Sequence, residues 1–140
     1  MSSAIFVDSN IIMYAVGAEH AYRSSCLNAL DRIIGENLQA AVSSEIHQEI
    51  LHRYLSLGLP DKAREVSLNL ETIIPATLPV TLAEIHRVRE LAERYPRLNA
   101  RDLIHAAVML ENGLTRILST DRHFDLLAEI ERIDPLDFLQ

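Results

Sequence analysis

The sequence predicts an α/β fold, a three-layer α/β/α sandwich with a central, mainly parallel sheet. Short apolar segments that are typical of buried strands alternate along the 140 residues with longer segments of helical periodicity. This alternation requires crossover connections, which place helices on both faces of a parallel sheet. With 49% hydrophobic residues, the chain can bury a core as a single domain over residues 1–140.

The first half of the chain contains two predicted strands, at 4–8 and 38–43. Ser9 or Asn10 is expected to cap the helix that follows the first strand, and Ser43 or Ser44 the helix that follows the second. Gly58 and Pro60 mark a stop and restart, with Asp61 as the expected cap of the next helix. The predicted helices of this half span 11–17, 22–34, 44–57 and 62 to about 70 or 74.

In the second half, a short extended segment is predicted at 75–79, between two prolines. The capping box Thr81-Leu82-Ala83-Glu84 opens a helix to about Tyr95. Asn99 caps a helix that is apolar on nearly every side and closes at Asn112-Gly113, so we expect it to be buried centrally. The remaining predicted elements are a strand at 116–119, a short helix at 121–129 and an edge strand at 131–134.

Four acidic residues lie where predicted strands end or helices begin: Asp8, Glu49, Asp102 and Asp121. Acids at several strand ends can converge, because the crevice of an alternating α/β fold lies beyond the carboxyl ends of its parallel strands. Two unit charges ~4 Å apart repel by about 4 kcal/mol at an effective dielectric near 20, so ionised acids in one cleft need protons or a cation. Ligation by oxygen alone suits Mg²⁺ or Mn²⁺.

Each acid also has a purely structural interpretation. Asp102, in the first turn of its helix, could interact with the helix dipole or take part in capping, and Asp121 could be only a cap. Glu45 lies one turn before Glu49 on the same helix face, so spacing alone leaves the choice between these two open. Asp8 is the hardest to explain structurally, because a charge at the mouth of a buried sheet must have a partner.

The net charge of −7 argues against a broad basic surface for nucleic acid. It does not exclude a nucleic-acid substrate, because bound cations can reverse the sign of an acidic site locally. All basic residues but Lys62 are arginines, whose planar donors suit phosphate, and five of them lie within 87–101. The favoured structural interpretation of these arginines is a solvated helix face paired with Glu84, Glu90 and Glu93.

Several function classes lack essential residues. The sequence has no Gly-Lys pair for a P-loop and no Gly-x-Ser-x-Gly segment for a serine hydrolase. A receiver domain needs a late lysine, which the single Lys62 does not supply. A small-molecule phosphatase with Asp8 as its nucleophile remains a minor alternative, although Asn10 stands where its second aspartate is expected.

The histidines and the single Cys26 do not form a zinc motif, because no two histidines are four residues apart. His105 lies one turn after Asp102. We interpret it as a polar member of a packed helix, with a place beside the active site as the alternative. A lone cysteine excludes an internal disulfide and is compatible with a reducing cytoplasm. Without a basic leader or an apolar run of about 20 residues, the chain is expected to be soluble, cytoplasmic and not associated with membranes.

Four segments in a specific order and spacing carry a family resemblance. They are Phe6-Val7-Asp8-Ser9-Asn10, Val42-Ser43-Ser44-Glu45-Ile46-His47-Gln48-Glu49, Ala100-Arg101-Asp102-Leu103-Ile104-His105-Ala106-Ala107, and Leu118-Ser119-Thr120-Asp121-Arg122-His123-Phe124-Asp125. In these segments the chain resembles the PIN-domain family and, within it, the VapC-type toxin ribonucleases of type II toxin–antitoxin pairs. The resemblance extends over nearly the whole chain and implies a PIN-like fold.

The resemblance also implies which residues form the site. It favours Glu49 over Glu45, because the family's glutamate follows the Ser-Ser-x-x-x-Gln segment. The implied metal ligands and catalytic residues are Asp8, Glu49, Asp102 and Asp121. The implied supporting residues are Asn10, Ser119 and Thr120, with Asp125 as a further candidate acid.

The activity implied by the resemblance is endoribonucleolytic hydrolysis of RNA, with one or two Mg²⁺ or Mn²⁺ ions held by the four acids. For the toxin class it further implies a structured RNA substrate such as tRNA, a homodimer and a cognate antitoxin. The alternative from a different class is a non-catalytic protein-interaction module whose acids are helix caps and partner contacts.

Overall fold

The computed structural model of the protein describes residues 4–138. Within this range, five parallel strands form one sheet in the order β3-β2-β1-β4-β5. The strands are β1 (Ile5–Val7), β2 (Ala40–Ser43), β3 (Thr77–Leu78), β4 (Arg116–Leu118) and β5 (Glu131–Ile133). The predicted central parallel sheet and the predicted edge position of the last strand are both confirmed.

Six α-helices flank this sheet within the described residues, which confirms the predicted three-layer α/β/α fold. They are α1 (Ser9–Val16), α2 (Arg23–Gly35), α3 (Ser44–Ser56), α4 (Pro60–Ile73), α5 (Leu82–Arg94) and α6 (Ala100–Glu111). A 3₁₀ helix follows at Arg122–Leu126. None of the helices within 4–138 is both long and apolar enough to span a bilayer.

The central strand β1 places the site. Phe6 pairs with Ala41 of β2 on one side and with Ile117 of β4 on the other, and all three residues of β1 are buried. The chain builds the sheet outward from β1 in one direction through β2 and β3, and then in the other through β4 and β5. The order of the strands therefore reverses beside β1, and a ligand crevice is expected there, beyond the strands' carboxyl ends.

Most predicted caps are confirmed, and two are wrong. Ser43 and Asn99 accept backbone N–H groups at the starts of α3 and α6. The cap of α1 is Asp8, whose carboxylate accepts the N–H of Ser9, so Ser9 and Asn10 already belong to the helix. Helix α4 begins with a proline at its first position, so Asp61 lies within the first turn and is not the cap.

Two further expectations are corrected. The helix predicted at 121–129 is only the 3₁₀ helix, because the chain must turn and begin β5 at residue 131. Two of these arginines pair with acids on other elements and not along their own helix: Arg87 contacts Glu111 at 2.6 Å, and Arg94 contacts Glu129 at 2.5 Å. Arg87 can reach Glu111 because α5 packs directly against α6.

Helix α6 lies in the core, as its apolar sequence predicts. Ala106, Ala107, Val108 and Met109 are fully buried. Helices this apolar are stable only when they are covered on most sides. The central position of α6 fixes the residues of its first turn relative to β1 and β4, whose carboxyl ends they face.

Helix α4 offers a matched test of core packing. Leu70 is 2% exposed, whereas Leu68 on the same helix is 63% exposed. Leu70→Ala should lower the free energy of unfolding by roughly 2–5 kcal/mol because it leaves a cavity in the core. Leu68→Ala should change it by no more than about 0.5 kcal/mol. Urea unfolding of the two variants measures the difference, and equal effects would show that the core described here is wrong.

Candidate functional site

A cleft with a volume of about 820 Å³ opens at the carboxyl edge of the sheet. The four predicted acids line it together, although they come from different parts of the chain: Asp8, Glu49, Asp102 and Asp121. Asp8 follows β1, Glu49 lies within α3, Asp102 lies in the first turn of α6, and Asp121 follows β4. The acids therefore meet where the fold places its ligand crevice.

Asp8 is held at the centre of the cleft by three donors. Its Oδ1 accepts the N–H of Ser9 at 2.7 Å, and its Oδ2 accepts the hydroxyl of Ser119 at 2.7 Å and the amide of Asn10 at 3.2 Å. Asp8 is only 5% exposed, and this burial raises the pKa of its carboxyl group against the lowering effects of His105 and Ser119. Its orientation is thus fixed, while its negative charge is only partly compensated.

The supporting residues tie the end of β1 to the segment that follows β4. The side-chain amide of Asn10 donates to the Ser119 hydroxyl, and its carbonyl accepts the backbone N–H of Thr120. The Ser119 hydroxyl also accepts the backbone N–H of Asp121 at 3.0 Å. Asn10 and Ser119 therefore contribute side chains to this network, whereas Thr120 contributes its backbone N–H.

Glu49 faces Asp8 from helix α3. One of its carboxylate oxygens accepts the Ser9 hydroxyl at 2.7 Å, and the other lies 3.0 Å from Nε2 of His105. Burial by itself would raise the pKa of Glu49, but the hydrogen bond and charge of His105, together with Ser9, lower it overall. Glu45 also lines the cleft but is more exposed, so Glu49 is the acid that is built into the site.

Asp102 and Asp121 form the second side of the cleft. Asp102 is 5% exposed, and its Oδ2 has no hydrogen-bond partner among residues 4–138. Nδ1 of His123 lies 3.4 Å from this oxygen and 3.4 Å from Oδ1 of Asp121. Burial and the negative charge of Asp121 raise the pKa of Asp102. Asp121 accepts the N–H of His123 and so caps the 3₁₀ helix, as its structural interpretation predicts, while it also lines the cleft.

These donor groups fit a divalent cation. Two sets of side chains bring ligand atoms within 4.8 Å of one another: Asp8, Glu49 and His105 in the first, and Asp102, Asp121 and His123 in the second. Both sets are mainly carboxylate, which suits hard cations. The buried Oδ2 of Asp102 has no hydrogen-bond partner among residues 4–138, and a cation in the cleft would satisfy it.

Several residues of the cleft were not predicted from the sequence. His105 was interpreted as a packing residue, but it also contacts Glu49; its position one turn after Asp102 was the signal for this alternative. Arg53 and Arg101 line the cleft and are exposed. Asp125, the further candidate acid, does not line it and instead pairs with Arg132 at 2.9 Å.

The PIN domain family model matches residues 5–130. The chain belongs to the PIN domain family. This match covers every element from β1 to the 3₁₀ helix and all four acids of the cleft. The resemblance seen in the sequence is confirmed.

Two ribonucleases of Mycobacterium tuberculosis are similar to this chain in sequence. Ribonuclease VapC13 of Mycobacterium tuberculosis (strain ATCC 25618 / H37Rv) is 33% identical over 129 residues, covering 92% of this chain and 98% of that protein. Ribonuclease VapC23 of the same strain is 35% identical over 117 residues, covering 84% of this chain and 92% of VapC23. The chain therefore spans nearly the full length of these relatives.

Several solved structures share the fold at lower identity. VapBC2 from Rickettsia felis, bound to a DNA fragment from its promoter, matches with a TM-score of 0.74 at 14% identity over 94% of this chain and 99% of that chain. FitAcB from Neisseria gonorrhoeae matches with a TM-score of 0.72 at 18% identity, over 94% and 98%. Mycobacterium tuberculosis VapC20, a sarcin-ricin loop cleaving toxin, matches with a TM-score of 0.70 at 18% identity. The match covers 88% of this chain and 94% of the VapC20 chain.

The buried carboxyl group of Asp102 should affect the thermal stability of the protein. Because the pKa of Asp102 is raised on folding, its ionised form destabilises the PIN fold at pH values above the folded-state pKa, and this penalty vanishes below the unfolded-state pKa. With EDTA at pH 7.5, Asp102→Asn should raise the melting temperature by roughly 2–4 °C, which corresponds to ~1 kcal/mol in a domain of this size. The gain should shrink as the pH falls toward 4.

The exposed Asp31 on α2 is the matched control for this substitution. Asp31→Asn should leave the melting temperature unchanged at both pH values. A lower melting temperature of Asp102→Asn at pH 7.5 would mean that the carboxylate is stabilised in the metal-free fold.

Proposed function

We propose that this protein is a metal-dependent endoribonuclease and the toxin of a type II toxin–antitoxin pair. The observation that carries the proposal is the convergence of four carboxylates on one cleft, with one buried carboxylate oxygen that has no hydrogen-bond donor in the described residues. Relatives named ribonucleases match over nearly their whole length, which supports RNA as the substrate.

The proposed ligands of the divalent ion are the four acids of the cleft: Asp8, Glu49, Asp102 and Asp121. When bound, Mg²⁺ or Mn²⁺ would polarise the scissile phosphate and favour deprotonation of the attacking water. The remaining contributions come from the chain itself. Ser9, Asn10 and Ser119 hold the first two carboxylates in fixed orientations, so little reorganisation is required when substrate binds.

Two arginines give the acidic cleft a cationic edge. Arg53 of α3 and Arg101 of α6 are exposed and line the cleft. A guanidinium group can donate two parallel hydrogen bonds to a phosphate, which suits it to hold the RNA backbone on either side of the cut. These residues supply local positive charge at the cleft of a chain whose net charge is −7.

The proposed partners follow from the relatives. A similar structure is described as a toxin–antitoxin complex from Klebsiella pneumoniae, and VapBC2 is another complex of this kind. We expect a cognate antitoxin to bind this protein and to block the cleft. VapC20 is named for cleaving a structured RNA loop, which supports a structured substrate such as tRNA. A homodimer is part of the proposal, because two acidic subunits could combine their arginines around one RNA.

The alternatives explain fewer observations. A phosphatase with Asp8 as nucleophile needs a lysine near the cleft, but Lys62 lies over the ring of Tyr54 at 5.1 Å and does not line the acidic cleft. An interaction module would explain Asp8 and Asp121 as caps, which they are. It gives no role to the buried Glu49 or to Oδ2 of Asp102, which has no hydrogen-bond partner among residues 4–138.

Cleavage of a mixed tRNA and mRNA pool by the purified protein tests the proposed function. Cleavage should require Mg²⁺ or Mn²⁺ and stop with EDTA. Asp8→Asn and Asp102→Asn should each reduce the cleavage rate by at least about 100-fold. Loss of a residue that only supports a metal ligand costs about 10- to 100-fold, and loss of a ligand should cost at least as much. Asp31→Asn should cleave at the wild-type rate.

If both acid variants retain wild-type cleavage, the acidic site is not the active site. If the wild type cleaves neither RNA but gains thermal stability with Mn²⁺, the metal site stands and the substrate class is wrong. Turnover of small phosphomonoesters with intact RNA would favour the phosphatase.

The salt dependence of RNA binding tests the role of Arg53. In the cleavage-deficient Asp102→Asn background, Arg53→Gln should weaken binding to all single-stranded RNAs alike. It should also lower the slope of log K against log salt by about 0.7, the value for one phosphate contact on a single strand. The exposed Arg89 on α5 does not line the cleft, and Arg89→Gln should leave the slope unchanged. Equal slopes for both variants would remove Arg53 from the RNA path.

A further inference from the structure

His105 is an ionisable side chain in the core of the protein. It lies on α6, one turn after Asp102, and is 2% exposed. The rings of Phe6 and Phe124 flank it, with centroids 5.8 and 6.3 Å from its own. A histidine in such apolar surroundings is costly to bury unless its polar atoms are used.

The two ring nitrogens of His105 have different surroundings. Nε2 lies 3.0 Å from a carboxylate oxygen of Glu49 and 3.9 Å from Oδ1 of Asp8. Nδ1 is buried without a hydrogen-bond partner among residues 4–138. One nitrogen therefore points between two carboxylates, and the other points into the core.

This arrangement decides between two roles. A histidine that ligates a metal turns the lone pair of one nitrogen to the ion and normally donates its other N–H to an acceptor. Within residues 4–138, Nδ1 of His105 has no acceptor for such a proton. An ionised Glu49 can only accept, so the short contact at Nε2 requires that nitrogen to donate. The side chain is arranged as a donor to a carboxylate and not as a ligand.

We propose that His105 is the positioning residue of Glu49: its Nε2–H holds one carboxylate oxygen while the Ser9 hydroxyl holds the other, so that Glu49 is fixed facing Asp8. This inference rests on the proposed metal site and adds to it a residue that acts through a ligand. Each oxygen of Glu49 keeps a further lone pair for an ion, since a carboxylate offers about four acceptor positions.

Positioning is needed here because Glu49 faces another negative charge. The negative charge of Glu49 contributes to raising the pKa of Asp8, so the two carboxylates are close enough to repel each other when both are ionised. A glutamate side chain on an exposed helix face would rotate away from that charge. Hydrogen bonds from both sides prevent this rotation, and the burial of α6 in the core makes His105 a rigid support.

A double-mutant cycle on Mn²⁺ affinity tests the proposal without using RNA cleavage. The four proteins are the wild type, Glu49→Gln, His105→Leu and the double variant, each titrated with Mn²⁺ and followed by the electron paramagnetic resonance signal of the free ion. His105→Leu should weaken Mn²⁺ binding about 10- to 100-fold, the range for loss of an outer-shell partner. In the Glu49→Gln background the same substitution should change the affinity less than about 2-fold, because the carboxylate that it positions is gone.

Two amides that differ only in reach separate positioning from packing. The amide of His105→Gln can lie where Nε2 lies, whereas that of His105→Asn can lie only where Nδ1 lies. Glutamine should restore Mn²⁺ affinity to within about 5-fold of the wild type, and asparagine should not. The exposed His86 on α5 is the control, and His86→Gln should bind Mn²⁺ as the wild type does. Melting curves in EDTA show whether each variant is folded.

The possible results distinguish failure of the proposed metal site from failure of the positioning role of His105. If the wild type binds no Mn²⁺, the proposed metal site fails and the inference fails with it. If the wild type binds but the effects of Glu49→Gln and His105→Leu multiply fully, His105 binds metal independently of Glu49 and the positioning role is wrong. If glutamine and asparagine give equal affinities, the role is also wrong. When His105→Leu does not fold, the comparison of the two amides alone decides.

Discussion

The concentration of negative charge at one edge of the sheet is the constraint on which the rest of this structure depends. Asp8, Glu49 and Asp102 are all nearly buried, and each is close to another acid. Burial and mutual repulsion both act against their charged forms. The protein offsets part of this cost with donors from Ser9, Ser119 and His105, whereas one oxygen of Asp102 has no hydrogen-bond partner in the described part of the chain. Such a cluster is understandable as a site that is completed by a cation.

The fold supplies this cluster through the positions where its elements join. Asp8 lies at the turn from β1 into α1 and caps that helix, while Asp121 caps the 3₁₀ helix after β4. Capping and metal binding are compatible, because a carboxylate has more acceptor positions than one backbone N–H uses. A side-chain hydrogen bond from Asn10 to Ser119 then joins the two strand ends. The same contacts that terminate the secondary structure thus orient the proposed metal ligands.

The sequence allowed prediction of the features that depend on local pattern. The strand ends that carry Asp8 and Asp121, and the capped start of α6 that carries Asp102, follow from periodicity and capping residues. Contacts across long sequence separations could not be predicted in this way. Ser9 and Glu49 are 40 residues apart, and Glu49 and His105 are 56 apart. The sequence predicts a longer helix at 121–129 than the 3₁₀ helix found at Arg122–Leu126. The early end could not be predicted, because it is imposed by the start of β5 and not by a local stop signal.

Anomalous diffraction from crystals of the protein soaked in Mn²⁺ would test the central claim most directly. We expect a manganese peak in the cleft, about 2.0–2.3 Å from carboxylate oxygens of Asp8 and Asp102, at the distances typical of hard cations with oxygen ligands. His105 should lie behind Glu49 and outside the coordination shell. An empty cleft at saturating Mn²⁺, or a peak bound only by surface acids elsewhere, would contradict the claim that these carboxylates form a metal site.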